Sequence, residues 1–158
     1  MMMPIDSREK LIAELGDALD GANESSWPYV DLTDQSVDVH VNRDYCGDEC
    51  EEDIEGHELV EVEPVSSREA FNVMERFADS RPEAQRNSLF DALNRRHPFS
   101  TFRYAVEQLG ILQDWYAYKS EAYAAMAEEL LDFYKVDFED GRIVCKEKRN
   151  IRKFSIER

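Results

Sequence analysis

Glycine and proline are scarce in this 158-residue chain, with six and five copies. That excludes collagen-like and low-complexity architectures, which need far more of both. Cysteine is nearly absent, with Cys46, Cys50 and Cys145 the whole supply. An odd count in a chain of this size argues against a disulfide framework and fits a reducing compartment. No apolar run approaches the roughly 20 residues that cross a bilayer. The opening Met1 to Asp6 gives way at once to charged residues rather than to the apolar core of a signal peptide. The expected location is the cytoplasm. Bases are outnumbered, 19 Lys and Arg against 35 Asp and Glu, for a net charge of -16. A surplus of that sign disfavours nucleic acid phosphates and anionic membranes and favours basic partners, although solubility alone also accounts for it.

What is present suits a folded protein. Apolar residues make up 42% of the chain. A chain of this length buries about 70% of its unfolded surface, so neither a disulfide nor a metal is needed to hold a core. A single domain over 1–158 is expected. Its parts are a helix plus small sheet over 1–65 with an acidic loop at 44–58, a helical stretch over 66–135, and a basic hairpin or tail over 136–158.

Periodicity sets the expected elements. Asp6 and Glu9 form a candidate capping box before Leu11, Ile12, Leu15 and Leu19, with Gly21 as the stop. Tyr29, Val30 and Leu32 lead through Thr33-Asp34-Gln35-Ser36 into Val37, Val39 and Val41, which alternate with Asp38 and His40 as a hairpin strand does. Leu59, Val60 and Val62 read as a third strand closed by Pro64. Ser66 with Glu69, and Ser80 with Glu83, mark two further helix starts. Pro98 opens a helix carrying Phe99, Phe102, Val106 and Leu109, and Gly110 stops it. The longest helix runs from about Leu112 to Tyr134, with Trp115, Tyr118, Ala122, Met126, Leu130 and Phe133 as its apolar stripe. Asp140-Gly141, between Val136 and Phe138 and Ile143 and Val144, signals a final hairpin. The fold class is therefore α+β: a small antiparallel sheet of about three strands on a bundle of about five helices.

The run Ala92-Leu93, Pro98-Phe99, Phe102-Arg103, Leu109-Gly110, Trp115-Tyr116 and Tyr118 resembles a bacterial family, uncharacterised protein family 0158. There an alanine-leucine or alanine-isoleucine pair and a phenylalanine-x-x-phenylalanine-basic segment lead into a tryptophan-tyrosine helix. Tyr29-Val30-Asp31 with Thr33 is similar to that family's strand and turn, and Glu63-Pro64 loosely to its isoleucine-proline pair. The likeness spans about Trp27 to Phe133. Asp34-Gln35 stands where the family has a turn glycine, His97-Pro98 where it has a Gly-Ala-like pair, and the basic tail after Gly141 is an addition. The resemblance implies a fold and carries no chemistry.

Several constellations compete with plain structural roles. Cys46 and Cys50, with three residues between them and flanked by His40 and His57, offer two thiolates and two imidazoles, a possible zinc set. The dense carboxylates around them are unusual for zinc, and a solvated acidic loop is the favoured reading. Asp44 to Glu63 carries ten acids and no Lys or Arg, but not in the order of an EF-hand calcium loop. Arg95, Arg96 and His97 precede the helix start at Pro98, with Arg103 one turn in, a candidate anion site. The competing reading has these arginines pairing with the many acids. Tyr116 lies off its helix's stripe and is the best candidate for an exposed ring that meets a partner. No Gly-x-Ser-x-Gly elbow and no His-Glu-x-x-His occurs, and His97 near Asp91 is weak ground for a general base. From Arg142 to Arg158 there are seven bases and two acids. This tail is expected to fold back on the acidic loop or to pair at a sheet edge with a partner subunit.

No catalytic residue, cofactor or metal is expected. The function expected is a non-enzymatic protein-binding, adaptor or regulatory module. The alternatives are a nucleic-acid-mimicking acidic regulator of a basic partner, or a small phosphate-ligand or enzymatic domain around Arg95, Arg96 and His97.

Overall fold

A computed structural model describes residues 4–22, 26–41 and 54–155. The α+β architecture is present: among these residues lie five α-helices, a four-stranded antiparallel sheet and a separate two-stranded hairpin. The chain divides into two compact units, one of Met1–Val65 with Tyr123–Arg158, the other of Ser66–Ala122.

The first unit opens with α1, Arg8–Gly21. Its cap is Ser7, whose hydroxyl accepts the Lys10 N–H at 3.1 Å, and not Asp6 as the capping-box spacing suggested. Ser7 sits one residue nearer the first leucine turn and its extended backbone aims the oxygen at the open amide. Gly21 stays in the helix, which ends at Ala22 through a bond to the Leu19 carbonyl. Strands β1, Ser26–Asp31, and β2, Ser36–Val41, form the expected hairpin, and β3, Glu58–Glu61, pairs antiparallel on the other side of β1. Val30 stands opposite both Val37 and Val60, so one face of the sheet carries an apolar row.

Two strands that the sequence assigned to a hairpin follow as β4, Val136–Glu139, and β5, Arg142–Cys145. Asp140 and Gly141 turn between them with φ of 54° and 79°, the pair of positive values that a two-residue hairpin needs. The Gln35 side chain locks this hairpin to the β1–β2 turn. Its amide nitrogen donates to the carbonyls of Leu32 and Ile143, at 2.8 and 3.0 Å, and its oxygen accepts the Ile143 N–H. A side chain thus stands in for one rung of a strand ladder. Strand β6, Arg152–Lys153, completes the main sheet in the order β2-β1-β3-β6. The sheet therefore has four strands where the sequence suggested three, because a two-residue strand carries no readable alternation.

Leu11, Leu15 and Leu19 of α1 pack with Val30, Leu32, Val37, Val60 and Val62 of the sheet region and with Tyr123, Ala127 and Leu131. Each such buried aliphatic contributes about 1.5–3 kcal/mol. The last three belong to α5, Leu112–Tyr134. The buried row there differs from the expected stripe by one position: Tyr123, Ala127 and Leu131 point inward, whereas Phe133 is 73% exposed. The reason is a close approach of helix backbones. A methyl placed on Gly16 would meet the Ala124 nitrogen at 3.3 Å, so small residues mark the contact and the largest rings fall to its flank.

The second unit holds α2, Ser67–Asp79, α3, Glu83–Leu93, α4, Pro98–Gln108, and α5 as far as Ala122. The Ser66–Glu69 capping box forms as expected. Ser80 does not cap α3, because its hydroxyl turns back to the Phe77 carbonyl at 2.6 Å and Pro82 takes the cap position. Gly110 ends α4 with φ of 73°, allowing the Ile111 N–H to reach back to the Val106 carbonyl. Phe77, Phe102 and Trp115 interlock, with Phe102 and Trp115 ring centroids 5.0 Å apart and near perpendicular. These rings are core, as helical spacing suggested.

Gly16→Leu should lower stability by about 1–3 kcal/mol in urea unfolding, since the side chain has no space against α5. Gly21→Ala, where nothing lies within 4 Å, should not. An unchanged midpoint for Gly16→Leu would contradict the close approach.

Candidate functional site

Charge is not spread evenly along the chain. From Ser66 to Ala122 there are eight bases and eight acids, so the whole surplus of -16 belongs to the unit that carries the sheet. The candidate site is sought there.

Strand register gives the sheet's second face. Opposite the valine row, Trp27 pairs with His40, Tyr29 with Asp38 and Glu61, Asp31 with Ser36 and Leu59, and Leu59 with Arg152. Trp27 is 50% exposed, while Asp31 is only 1% exposed. A buried carboxylate is costly unless every oxygen is satisfied. Here Oδ1 accepts the N–H groups of Thr33 and Asp34 at 3.0 and 2.9 Å, and Oδ2 lies 2.7 Å from His57 Nδ1. Asp31 therefore shapes the β1–β2 turn and pins the residue that enters β3. The Glu58 N–H donates to Thr33 Oγ1 and fixes the same junction.

A carboxylate behind an imidazole is also the arrangement that orients a general base. Among the described residues the bond that holds the His57 ring is the one to Asp31. Burial, reinforced by the charges of Asp38, Asp31 and Asp34, pushes the Tyr29 hydroxyl well above the usual phenol range.

Of the four residues in the sequence's zinc set, His57 is held by Asp31 and His40 sets its ring edge-on to Phe154, centroids 5.5 Å apart. Cys46 and Cys50 lie outside the described residues, as does the acidic stretch up to Asp53. Among the described residues no three His, Cys, Asp or Glu side chains group as a metal site. Cys145 donates to the Tyr134 and Glu147 carbonyls.

Two bases of the candidate anion site pair with acids. Arg95 pairs with Asp91 at 2.9 Å and Arg103 with Glu107 at 3.5 Å, each one turn along its own helix or junction. Arg96 and His97 are exposed, and the His97 carbonyl accepts from the Thr101 N–H and hydroxyl. Tyr116 is exposed as expected, at 38%, but Phe99 and Tyr104 are more so, at 47% and 63%.

Three participants were missed from sequence. Asp31 followed by Thr33-Asp34 is a recognisable side-chain-capped turn, so its role was legible in principle. Trp27 carries a solvent-facing phase that only the register reveals. Phe154 was hidden in the basic tail. Part of that tail pairs with β3 of its own chain, Leu59 opposite Arg152 and Glu58 opposite Lys153. In a cleft of about 580 Å³ near Pro4, Glu14, Asp34, Gln35 and Arg142, Glu14 pairs with Lys10 and Asp34 accepts from the Ser36 hydroxyl.

The acidic unit is held by a few well-placed cations. Arg8 lies 3.2 Å from Asp132 and 2.7 Å from Asp137. Burial pushes the Asp137 carboxyl up, but the Phe138 N–H and the Arg8 guanidinium together outweigh it and hold the group below the usual carboxylate range. A depressed carboxyl stabilises the fold above its unfolded pKa, and that contribution is lost as pH falls through the folded value. Arg8→Gln should thus cost less than about 1 kcal/mol at neutral pH, the pair being partly exposed. The gap from the unaltered chain should close at the acid end, and a gap independent of pH would contradict the pairing. No family model, curated protein or solved structure matches this chain.

Proposed function

We propose that this chain is a non-enzymatic protein-binding module whose acidic, sheet-bearing unit docks a basic partner. The observation that carries this reading is the segregation of charge: one unit is neutral and the other holds the entire excess of 16 negative charges. Charge gathered on one part of a molecule builds a local potential that steers an oppositely charged partner and speeds its encounter. Support also comes from chemistry already committed. Asp31 and His57 bond each other, Tyr29 is held protonated, and Arg95 and Arg103 neutralise acids of their own helices.

The run from Asp44 to Glu63, with ten acids and no base, gives the unit its densest charge. A basic groove that otherwise holds nucleic acid is one surface such a run would fit, because carboxylates then take the place of phosphates. No helix among the described residues is long and apolar enough to cross a membrane, and the expected setting is the cytoplasm.

The test is binding of a partner recovered from the native cell, measured against salt. Replacing Asp48, Glu49, Glu51 and Glu52 by the corresponding amides should weaken affinity at least tenfold at low salt and flatten the salt dependence. Equal affinity of variant and unaltered chain, with a complex indifferent to salt, would overturn the proposal.

A further inference from the structure

Strand β3 has one edge on β1 and the other on β6, which is only two residues long. Both of those residues, Arg152 and Lys153, are exposed. The pairing continues one step further: the Phe154 N–H donates to the His57 carbonyl and its own carbonyl accepts the Gly56 N–H, both at 2.9 Å. Ile151 packs partly buried against the core and the Asn150 side chain donates to the Tyr134 carbonyl, but beyond these anchors at its start the strand has little side-chain help. Arg152 reaches Glu61 at 3.6 Å, with the two side chains 74% and 31% exposed, a pair that contributes little. The Phe154 ring rests against His40 and is half-buried.

A sheet edge covered so lightly is a template for strand addition, in which backbone bonds supply affinity and alternate side chains supply selectivity. The occupant in place displays what the edge accepts: an antiparallel strand reading Ile151-Arg152-Lys153-Phe154, two cations and then a ring. Those cations stand across from Glu58 and beside Glu61, in the unit that holds all the excess negative charge.

We infer that Ile151–Phe154 is an internal stand-in for a ligand, and that an extended basic peptide ending in an aromatic residue displaces it and adds to β3 as a strand. This rests on the reading of the protein as a module for basic partners and assigns that partner's docking element. Displacement exchanges one basic strand for another on the same backbone groups. The tail sets a threshold that weakly basic segments do not pass, because they forfeit the contacts of Arg152 and Phe154 without replacing them.

Two full-chain variants open the edge. Arg152→Glu with Lys153→Glu sets the tail's charges against Glu58 and Glu61, and Phe154→Pro removes the N–H given to His57. The probe is a fluorescent peptide of residues 150–155, Asn-Ile-Arg-Lys-Phe-Ser. Both variants should bind it at least tenfold more tightly than the unaltered chain does, and a probe with Phe154→Ala should lose that gain. Equal binding by folded variants and the unaltered chain, or binding by none, overturns the inference. If neither variant folds, hydrogen exchange of the unaltered chain decides. The Gly56 and Phe154 amides should exchange at least a hundredfold faster than those of Val30 and Val60, and equal protection overturns the inference. A salt-sensitive complex that survives a failed peptide experiment would leave the basic partner docked elsewhere on the unit. A peptide that binds without any such complex would detach strand addition from the proposed function.

Discussion

Self-repulsion is the constraint on which the sheet-bearing unit depends. Every excess negative charge of the chain belongs to it. Like charges gathered in one compact body oppose its folding, and neither propensity nor apolar burial removes that opposition. The unit answers in three ways. It sinks one carboxylate, Asp31, into a nest of two backbone N–H groups and an imidazole. It places single cations against its acids, Arg8 on Asp132 and Asp137 from the far end of the chain and Lys146 on Glu139 within the final hairpin region. It lays the basic pair Arg152 and Lys153 along the edge of the strand that carries Glu58 and Glu61.

The third device connects stability to function. A cationic strand held at the edge by backbone bonds and a few exposed contacts relieves local repulsion, but a stronger cation from outside relieves it better. The same electrostatic demand that fastens β6 makes it replaceable. The helical unit is under no such demand. Its equal numbers of acids and bases leave cohesion to the rings of Phe77, Phe102 and Trp115 and to pairs one helical turn apart.

Features fixed by local chemistry were legible in the sequence. The Ser66–Glu69 box, the Asp140-Gly141 turn, the Gly110 stop and the alternating strand from Val37 each depend on neighbours within a few residues. Features decided by distant contact were not. The inward row of α5 follows from the backbone approach at Gly16, which lies more than a hundred residues away. The Gln35 bridge to Ile143 and the β6 pairing are likewise long-range, and neither leaves a periodic trace. The candidate ligand residues illustrate the same point. His40 and His57 share one sheet face, yet the Asp31 carboxylate that claims His57 sits 26 residues away in sequence. Arg95 and Arg103 pair with acids four positions away in sequence, the spacing of one helical turn.

The most direct measurement is amide hydrogen exchange across the chain at increasing sodium chloride concentration. If concentrated charge governs the sheet-bearing unit, screening should raise protection throughout its strands while residues 66–122 stay unchanged. Protection that rises equally in both units, or that falls in the strands as salt is added, would contradict the account.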